Sequence, residues 1–526
     1  MQAMKRAEGG SDRAVARSQK RRRTYVRILL ALVVLGVATG ALSVTMPRAP
    51  QASPIVDTVM LGRIFFTSTP SGPVVARPVL DRRARRAFIR LPSGRNGGFP
   101  LDGRVAVLDT TTGALLGTPR VARSNGGSGE QFDNFVLDQR DGRAYVVGYQ
   151  DTPPLGFRVS VLATVTGRVL GTAPAPQGVL GNGVALDAQS RRLFMLRWGS
   201  GDMPLSVLDL GTNRMHAPVS LAGSPPRGQG FAFAGPPLAV DTRDRRVFVA
   251  HLDNRRVSVL DAVSGHLLHT IALGFTPPAA ASTLLMNSVT VDERARRAFV
   301  YDANSGTLTT LDATSGHVVG VIRMARSSTS PLVDASTGRV FVLASGTLSV
   351  VDARTGQFLG VTPNLGAAGT PAVDAPTGSV IASDFGNRSV LICDGTTGRL
   401  RRRITLNGNP TSLAVDERTG RILVVSAGTT DNTGVFTDAS TMSVLDGRSG
   451  ALLRTVPLGA GYGSIAVDTQ AHRAVVIMSG GQVAPGPDAW GWIPTKVRRA
   501  LPFLPQRAPG PRTQAARVSV LDITRL

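Results

Sequence analysis

An all-β fold, a single closed β-propeller of about nine four-stranded blades, is predicted by three observations. A unit of about forty residues recurs along the chain. Each copy holds four short apolar runs, and Asp and Gly punctuate those runs at fixed offsets. The unit reads A-V-D-x-x-x-R-R-x-F-V, then V-S-V-L-D-x-x-(T/S)-G, then an apolar run ending near Leu-Gly. Its clearest copy spans Leu238 to Gly274, and the next spans Val289 to Ile322.

Strand a of successive units ends at Asp81, Asp138, Asp187, Asp241, Asp292, Asp334, Asp374, Asp416 and Asp468. Strand b is the F-V run. Strand c ends at Asp109, Asp209, Asp261, Asp312, Asp352, Asp394, Asp446 and Asp522, with Ala163 in that place in the second unit. Strand d is the apolar run after the Gly. An Asp at a strand end accepts hydrogen bonds from N–H groups of the turn that follows, and the Gly tolerates positive φ. The 17 aspartates therefore read as turn formers, not as catalytic carboxylates or metal ligands. The count gives nine blades; a ring of seven or eight is the alternative if a pair of units is degenerate.

The ninth unit has strands a, b and c but ends at VSVLDITRL without a d run. A spare d-like run, Ile55 to Gly62, matches His269 to Gly274. The N-terminal strand is thus expected to complete the last blade and leave no open edge.

Before that strand, residues 1–27 hold nine basic and two acidic side chains and read as a cytoplasmic tail. Residues 28–46 are free of charge and long enough for a transmembrane signal-anchor, with 47–54 (PRAPQASP) as linker and 55–526 as the propeller. The basic flank keeps the N-terminus inside, so the propeller is expected outside the cytoplasm; cleavage as a signal peptide, giving a secreted protein, is the rival reading. The net charge of +24 suits anionic partners of several kinds and chooses none of them. The single cysteine, Cys393, replaces Val or Leu of sister units and reads as a core residue.

Chain entry at the start of a d strand sets the orientation. The a–b and c–d turns are expected to face the bilayer, with Arg82, Arg86, Arg192, Arg246 and Arg297 among a ring of basic turn residues. The competing reading pairs these arginines with neighbouring aspartates. The opposite, distal face carries the b–c and d–a loops, whose lengths vary. The Asp-to-Asp spacing is 20 in the fourth, fifth and seventh units, 28 in the first, 30 in the eighth and 54 in the ninth. Variable loops on a rigid scaffold are where binding sits. Expected ligand or partner residues at the axial mouth are Asn134, Asn182, Asn287, Asn409 and Tyr462, joined from b–c loops by Tyr149, Trp198, Asp253, Asp302 and Asp384. The long insert at 479–517 adds Trp490 and Trp492, in a mixture of aromatic, aliphatic and basic residues suited to a partner or a lipid surface.

Val247-Phe248-Val249-Ala250-His251-Leu252-Asp253-Asn254, followed by Val257-Ser258-Val259-Leu260-Asp261, resembles the YVTN-type propeller repeats, related to surface-layer and quinoprotein-dehydrogenase-like propellers. The resemblance runs from Ile55 to the C-terminus and implies the fold more than the function. Members commonly have seven blades, whereas nine units are counted here. Quinone-binding members carry Trp in each repeat; here the D-x-x-T-G turn lacks it, so no cofactor is expected.

No G-x-S-x-G, P-loop or H-E-x-x-H is present, and none of the six histidines pairs with Cys or carboxylate at metal-ligand spacing. No metal and no catalytic residue is therefore assigned. The reading favoured is a membrane-anchored binding or scaffold module of the cell envelope that takes a protein or glycan on its distal face. Alternatives are a lactonase- or lyase-like hydrolase, and a nucleic-acid-binding propeller using the Arg-rich face.

Overall fold

Nine four-stranded antiparallel sheets follow one another along the chain, each in the hairpin order a–b–c–d. The computed structural model describes residues 54–526 apart from 63–66, 70–71, 75–76, 93–100, 122–134, 151–155, 177–178, 198–203, 222–229, 234, 252–255, 274–282, 327–329, 345, 363–364, 366–370, 431–434, 484–511 and 515. The expected tail and apolar segment lie outside these residues, as does the linker except for Pro54. No helix among the described residues is long and apolar enough to cross a membrane.

Blade 4 is typical, with strands Leu238–Asp241, Arg246–Ala250, Arg256–Asp261 and Leu267–Ala272. All nine a strands end at the aspartates that the repeat marks, and the c strands end at theirs or at Ala163. Strands b and c are buried on both sides between neighbouring blades. Val247, Phe248, Val249 and Ala250 are all buried, so strand b is a continuous apolar run and not an alternating one. The core is accordingly a ring of blade–blade seams. One seam packs Phe248 and Val259 against Val300 and Leu311 of blade 5. The seam between blades 9 and 1 is built alike, from Ile477 and Val520 against Ile89 and Leu108.

Blade 9 is completed by the N-terminal strand. Ile55–Gly62 pairs antiparallel with Ala516–Asp522, with Thr58 opposite Ser519 and Val59 opposite Val518. Every strand of the nine sheets therefore lies within residues 54–526.

Turn chemistry repeats with the same regularity. Asp261 Oδ1 accepts from the N–H groups of Val263 and Ser264, and Gly265 then takes φ +76°. The residue after each strand-c end donates its N–H to the carbonyl of the last a–b turn residue, as in Ala262 to Arg245 and Ile523 to His472. That turn residue has positive φ. It is Gly in some blades, but Arg85, Arg191, Arg245, Arg296 and His472 hold the same conformation in others.

The first-strand aspartates are buried and need a donor for each oxygen. Ser190, Thr337, Thr377 and Thr419 donate to Oδ2 of Asp187, Asp334, Asp374 and Asp416 from three residues onward. Asp468 Oδ2 takes Thr110 of the next blade instead. Oδ2 of Asp138, Asp241 and Asp292 has no hydrogen-bond partner, because the residue three onward is Asp141, Asp244 or Ala295. Burial pushes the Asp241 carboxyl up. Ala295→Ser copies the Ser190 arrangement, which also precedes a positive-φ Arg. It should stabilise the protein by about 1 kcal/mol, read as a higher midpoint in thermal or denaturant unfolding. An unchanged or lower midpoint would mean that Asp292 Oδ2 is satisfied by another route.

Candidate binding face

The two ends of the ring differ in construction. One carries only tight a–b and c–d turns, and the other carries every long insertion.

On the turn face the arginines at the start of strand b reach two ways. Arg86 Nη1 lies 2.6 Å from Asp109 Oδ2 of its own blade, while its Nε donates to Val165 O of blade 2 at 2.8 Å. Arg297 does the same with Asp312 (2.7 Å) and Arg354 O of blade 6 (2.9 Å). Arg192 pairs with Asp209 and donates to Val263 O, and Arg473 pairs with Asp522 and donates to Thr111 O across the closing seam. Arg246 pairs with Asp261 at 3.4 Å. A second set, Arg83, Arg243 and Arg294, reaches from the a–b turn to a backbone carbonyl of the next blade. Only a planar guanidinium with donors on separate edges can make the two-way contact, which gives the preference for Arg over Lys in the repeats a physical reason.

Three of the five basic residues singled out from the sequence, Arg86, Arg192 and Arg297, are thus half-buried blade-to-blade ties; Arg246 is half-buried and pairs within its own blade, and Arg82 is exposed. Burial pushes their partner carboxyls up, but turn N–H groups and the facing Arg outweigh it, leaving Asp109, Asp261 and Asp312 below the usual range. Asp394, held by the Thr397 N–H and Arg401 against the same burial, falls to about 2.

The insert-bearing face is assembled from loops that pair with one another. Gly230–Phe233, in the loop before blade 4, forms a parallel two-stranded ladder with Thr283–Met286, in the loop before blade 5. Thr67–Thr69 and Gly72–Val74 form a hairpin after the closing strand, and its second arm approaches strand a of blade 8. Gly481–Val483 pairs with Arg512–Gln514 as the stalk of the longest insert. Gln514 Oε1 accepts from Ala460 N at 2.9 Å and fixes the stalk to the loop between blades 8 and 9. Beside it, Tyr462 meets Phe436 edge-on at 5.5 Å in a small apolar cluster with Ala427 and Ala460.

The residues expected to bind a ligand do not form one constellation. Asn134, Trp198, Asp253, Trp490 and Trp492 lie outside the described residues. Tyr149 and Asn182 sit in Arg143–Gln150 and Val179–Asp187, and their side chains are likewise outside the description. Asn287 is fully buried just ahead of strand a of blade 5. Asn409 and Tyr462 are half-buried near the starts of their a strands.

Asp302 and Asp384 are buried turn formers at the ends of b strands. Asp302 accepts from the N–H groups of Asn304 and Ser305, and Asp384 from Asn387 N and Nδ2 and from Arg403 Nη1 at 2.9 Å. Sequence reasoning missed the parallel ladder and the first hairpin. The apolar strings GFAF and TLLM inside loops, and the Pro70-Ser71-Gly72 turn, were the available signals.

His251 is buried in blade 4 with Nε2 2.7 Å from Ser258 Oγ, in a chain that continues to Thr270. Cys393 is buried, which pushes its thiol up to about 11. Among the described residues no three His, Cys, Asp or Glu side chains come together as metal ligands.

A family model described as outer membrane protein assembly factor BamB matches residues 102–404. Among solved structures, BamB from Moraxella catarrhalis aligns at 17% identity over 71% of this chain and 96% of that one, with a TM-score of 0.42. A europium-containing methanol dehydrogenase aligns at 11% identity over 89% and 93%, with a TM-score of 0.46. The dihydro-heme d1 dehydrogenase NirN aligns at 13% identity over 78% and 81%, also with a TM-score of 0.46. No curated protein matches the chain.

Proposed function

The chain belongs to the family described as outer membrane protein assembly factor BamB, and from that membership we propose that it is a binding scaffold of the cell envelope. The propeller is held outside the cytoplasm by the apolar segment 28–46, and it takes a protein partner on the insert-bearing face. The YVTN-type motif of blade 4 is one variant of the same repeat. One observation carries the reading: every long insertion sits at one end of the ring, on loops that pair with each other, while the other end is closed by uniform tight turns. A rigid scaffold with its variation confined to one face is built to present that face. Tyr462 and the anchored stalk of the 484–511 insert mark its centre of interest.

Two measurements test it on the full-length protein. With tags at both ends, external protease should remove the C-terminal tag while the N-terminal tag stays protected and membrane-bound. A photo-crosslinker at Trp490 should then give discrete protein adducts in living cells, and one at Thr355 on the turn face should give none. Protection of both tags until lysis would end the envelope assignment. Equal adducts from both positions would end the assignment of the binding face.

A further inference from the structure

Strand d begins with two exposed apolar residues in six of the nine blades, for example Leu115 and Leu116, Leu267 and Leu268, and Leu452 and Leu453. The twelve side chains are 39–58% exposed. They fall at the sixth and seventh positions after the end of strand c, so each pair stands at the outer rim of the turn face. The eighth position, by contrast, packs against the next blade: His269 lies against Gly316, and Gly360 against Thr397. Packing of the ring therefore does not account for the pairs.

The exposed charges on the same face are mostly positive. Arg82, Arg85, Arg191, Arg245, Arg418 and Arg448 are exposed there, against Asp57, Asp141 and Glu417. Five of the six stand in a–b turns beside the first-strand aspartates, and Arg85, Arg191 and Arg245 hold positive φ.

We propose that the turn face is a lipid-docking surface, with a rim of apolar pairs seated at the headgroup boundary of an anionic bilayer and exposed arginines on the lipid phosphates. The inference rests on the envelope reading above and adds a second contact to it. Charge complementarity selects anionic lipid, and apolar pairs beside the charges fit a bilayer interface, whereas a phosphodiester backbone offers them nothing. Chain connectivity agrees. Strand d of blade 9 starts at Ile55 on this face, and the eight residues 47–54 can span at most about 28 Å from the apolar segment.

The test uses residues 54–526, whose nine sheets close among themselves, so its outcome does not depend on whether segment 28–46 anchors the protein. Co-sedimentation is measured with vesicles of phosphatidylcholine alone and with phosphatidylglycerol added. Binding is expected only to the anionic vesicles and to weaken with salt. The triple variant Leu116→Gln, Leu268→Gln, Leu453→Gln should lose about tenfold in partitioning. The variant Arg85→Gly, Arg191→Gly, Arg245→Gly keeps the positive-φ turns and should lose at least as much. Replacing 484–511 by a Gly-Ser linker should change nothing. No binding to anionic vesicles, or binding indifferent to both triple variants, would overturn the proposal. So would tighter binding to duplex DNA than to the vesicles. Failure of the tag-protection experiment with vesicle binding intact would instead overturn the envelope reading alone.

Discussion

Removal of residues 1–62 will leave the protein unable to persist as a folded monomer, whereas removal of 1–53 will leave the ring intact. Between these two truncations lies only the strand Ile55–Gly62 with Pro54. Without it, strand c of blade 9 becomes an open edge that exposes the backbone of Val518 and Val520. Asp522 N also loses its acceptor at Pro54 O, and Ser519 loses its side-chain contact with Thr58 at 3.0 Å. The strand serves blade 1 as well, since Asp57 lies against Gly113 in the c–d turn of that blade. Several ladder bonds at about 0.5–1.5 kcal/mol each, plus burial of Val59, amount to about 5 kcal/mol or more. That is comparable to the whole stability margin of many folded proteins, about 5–15 kcal/mol. Size exclusion and thermal melting of the two truncations decide the matter. Equal melting points and equal monomer yield would show that the ring closes without its N-terminal strand.

That closure was legible in the sequence for the same reason the blades were. Asp, Gly and the apolar runs act locally, and each blade repeats the local solution, so Asp261 and Gly265 predict their turn without reference to anything else in the chain. The absence of a d run after Asp522 and a spare one at Ile55 then left a single way to pair them. The nine-blade count followed from the same punctuation, although related propellers commonly have fewer. What the pattern could not carry was direction. Whether Arg297 points to solvent, to Asp312 or to the carbonyl of Arg354 depends on the angle between two blades, which no single unit encodes. The same holds for the parallel ladder of Gly230–Phe233 with Thr283–Met286, where two loops separated by a whole blade meet. Of the two readings the sequence left open for the basic turns, pairing with neighbouring aspartates holds for Arg86, Arg192, Arg246 and Arg297, while Arg82 and other turn arginines stay exposed.

Asp384→Ala should destabilise the protein by about 3 kcal/mol, and its largest effect will be on folding, not on binding. The sequence places Asp384 in a b–c loop on the distal face, where an acidic residue invites assignment as a ligand contact. In the structure its side chain is fully buried and accepts three hydrogen bonds, from Asn387 N at 3.1 Å, Asn387 Nδ2 at 2.8 Å and Arg403 Nη1 at 2.9 Å. Arg403 is about one-third exposed, so water screens part of its loss, and the turn N–H and amide groups account for much of the cost. Asp302 in blade 5 has the same role with Asn304 and Ser305 and no facing arginine, and Asp302→Ala should cost less, about 2 kcal/mol. A double-mutant cycle between Asp384→Ala and Arg403→Ala separates the ion pair from the turn. A coupling energy well below the single-mutant cost is expected, because Asn387 supplies two of the three bonds. Denaturant unfolding of the four proteins measures it. If Asp384→Ala unfolds at the wild-type midpoint while partner crosslinking from Trp490 disappears, the carboxylate is a binding group after all and the turn holds itself.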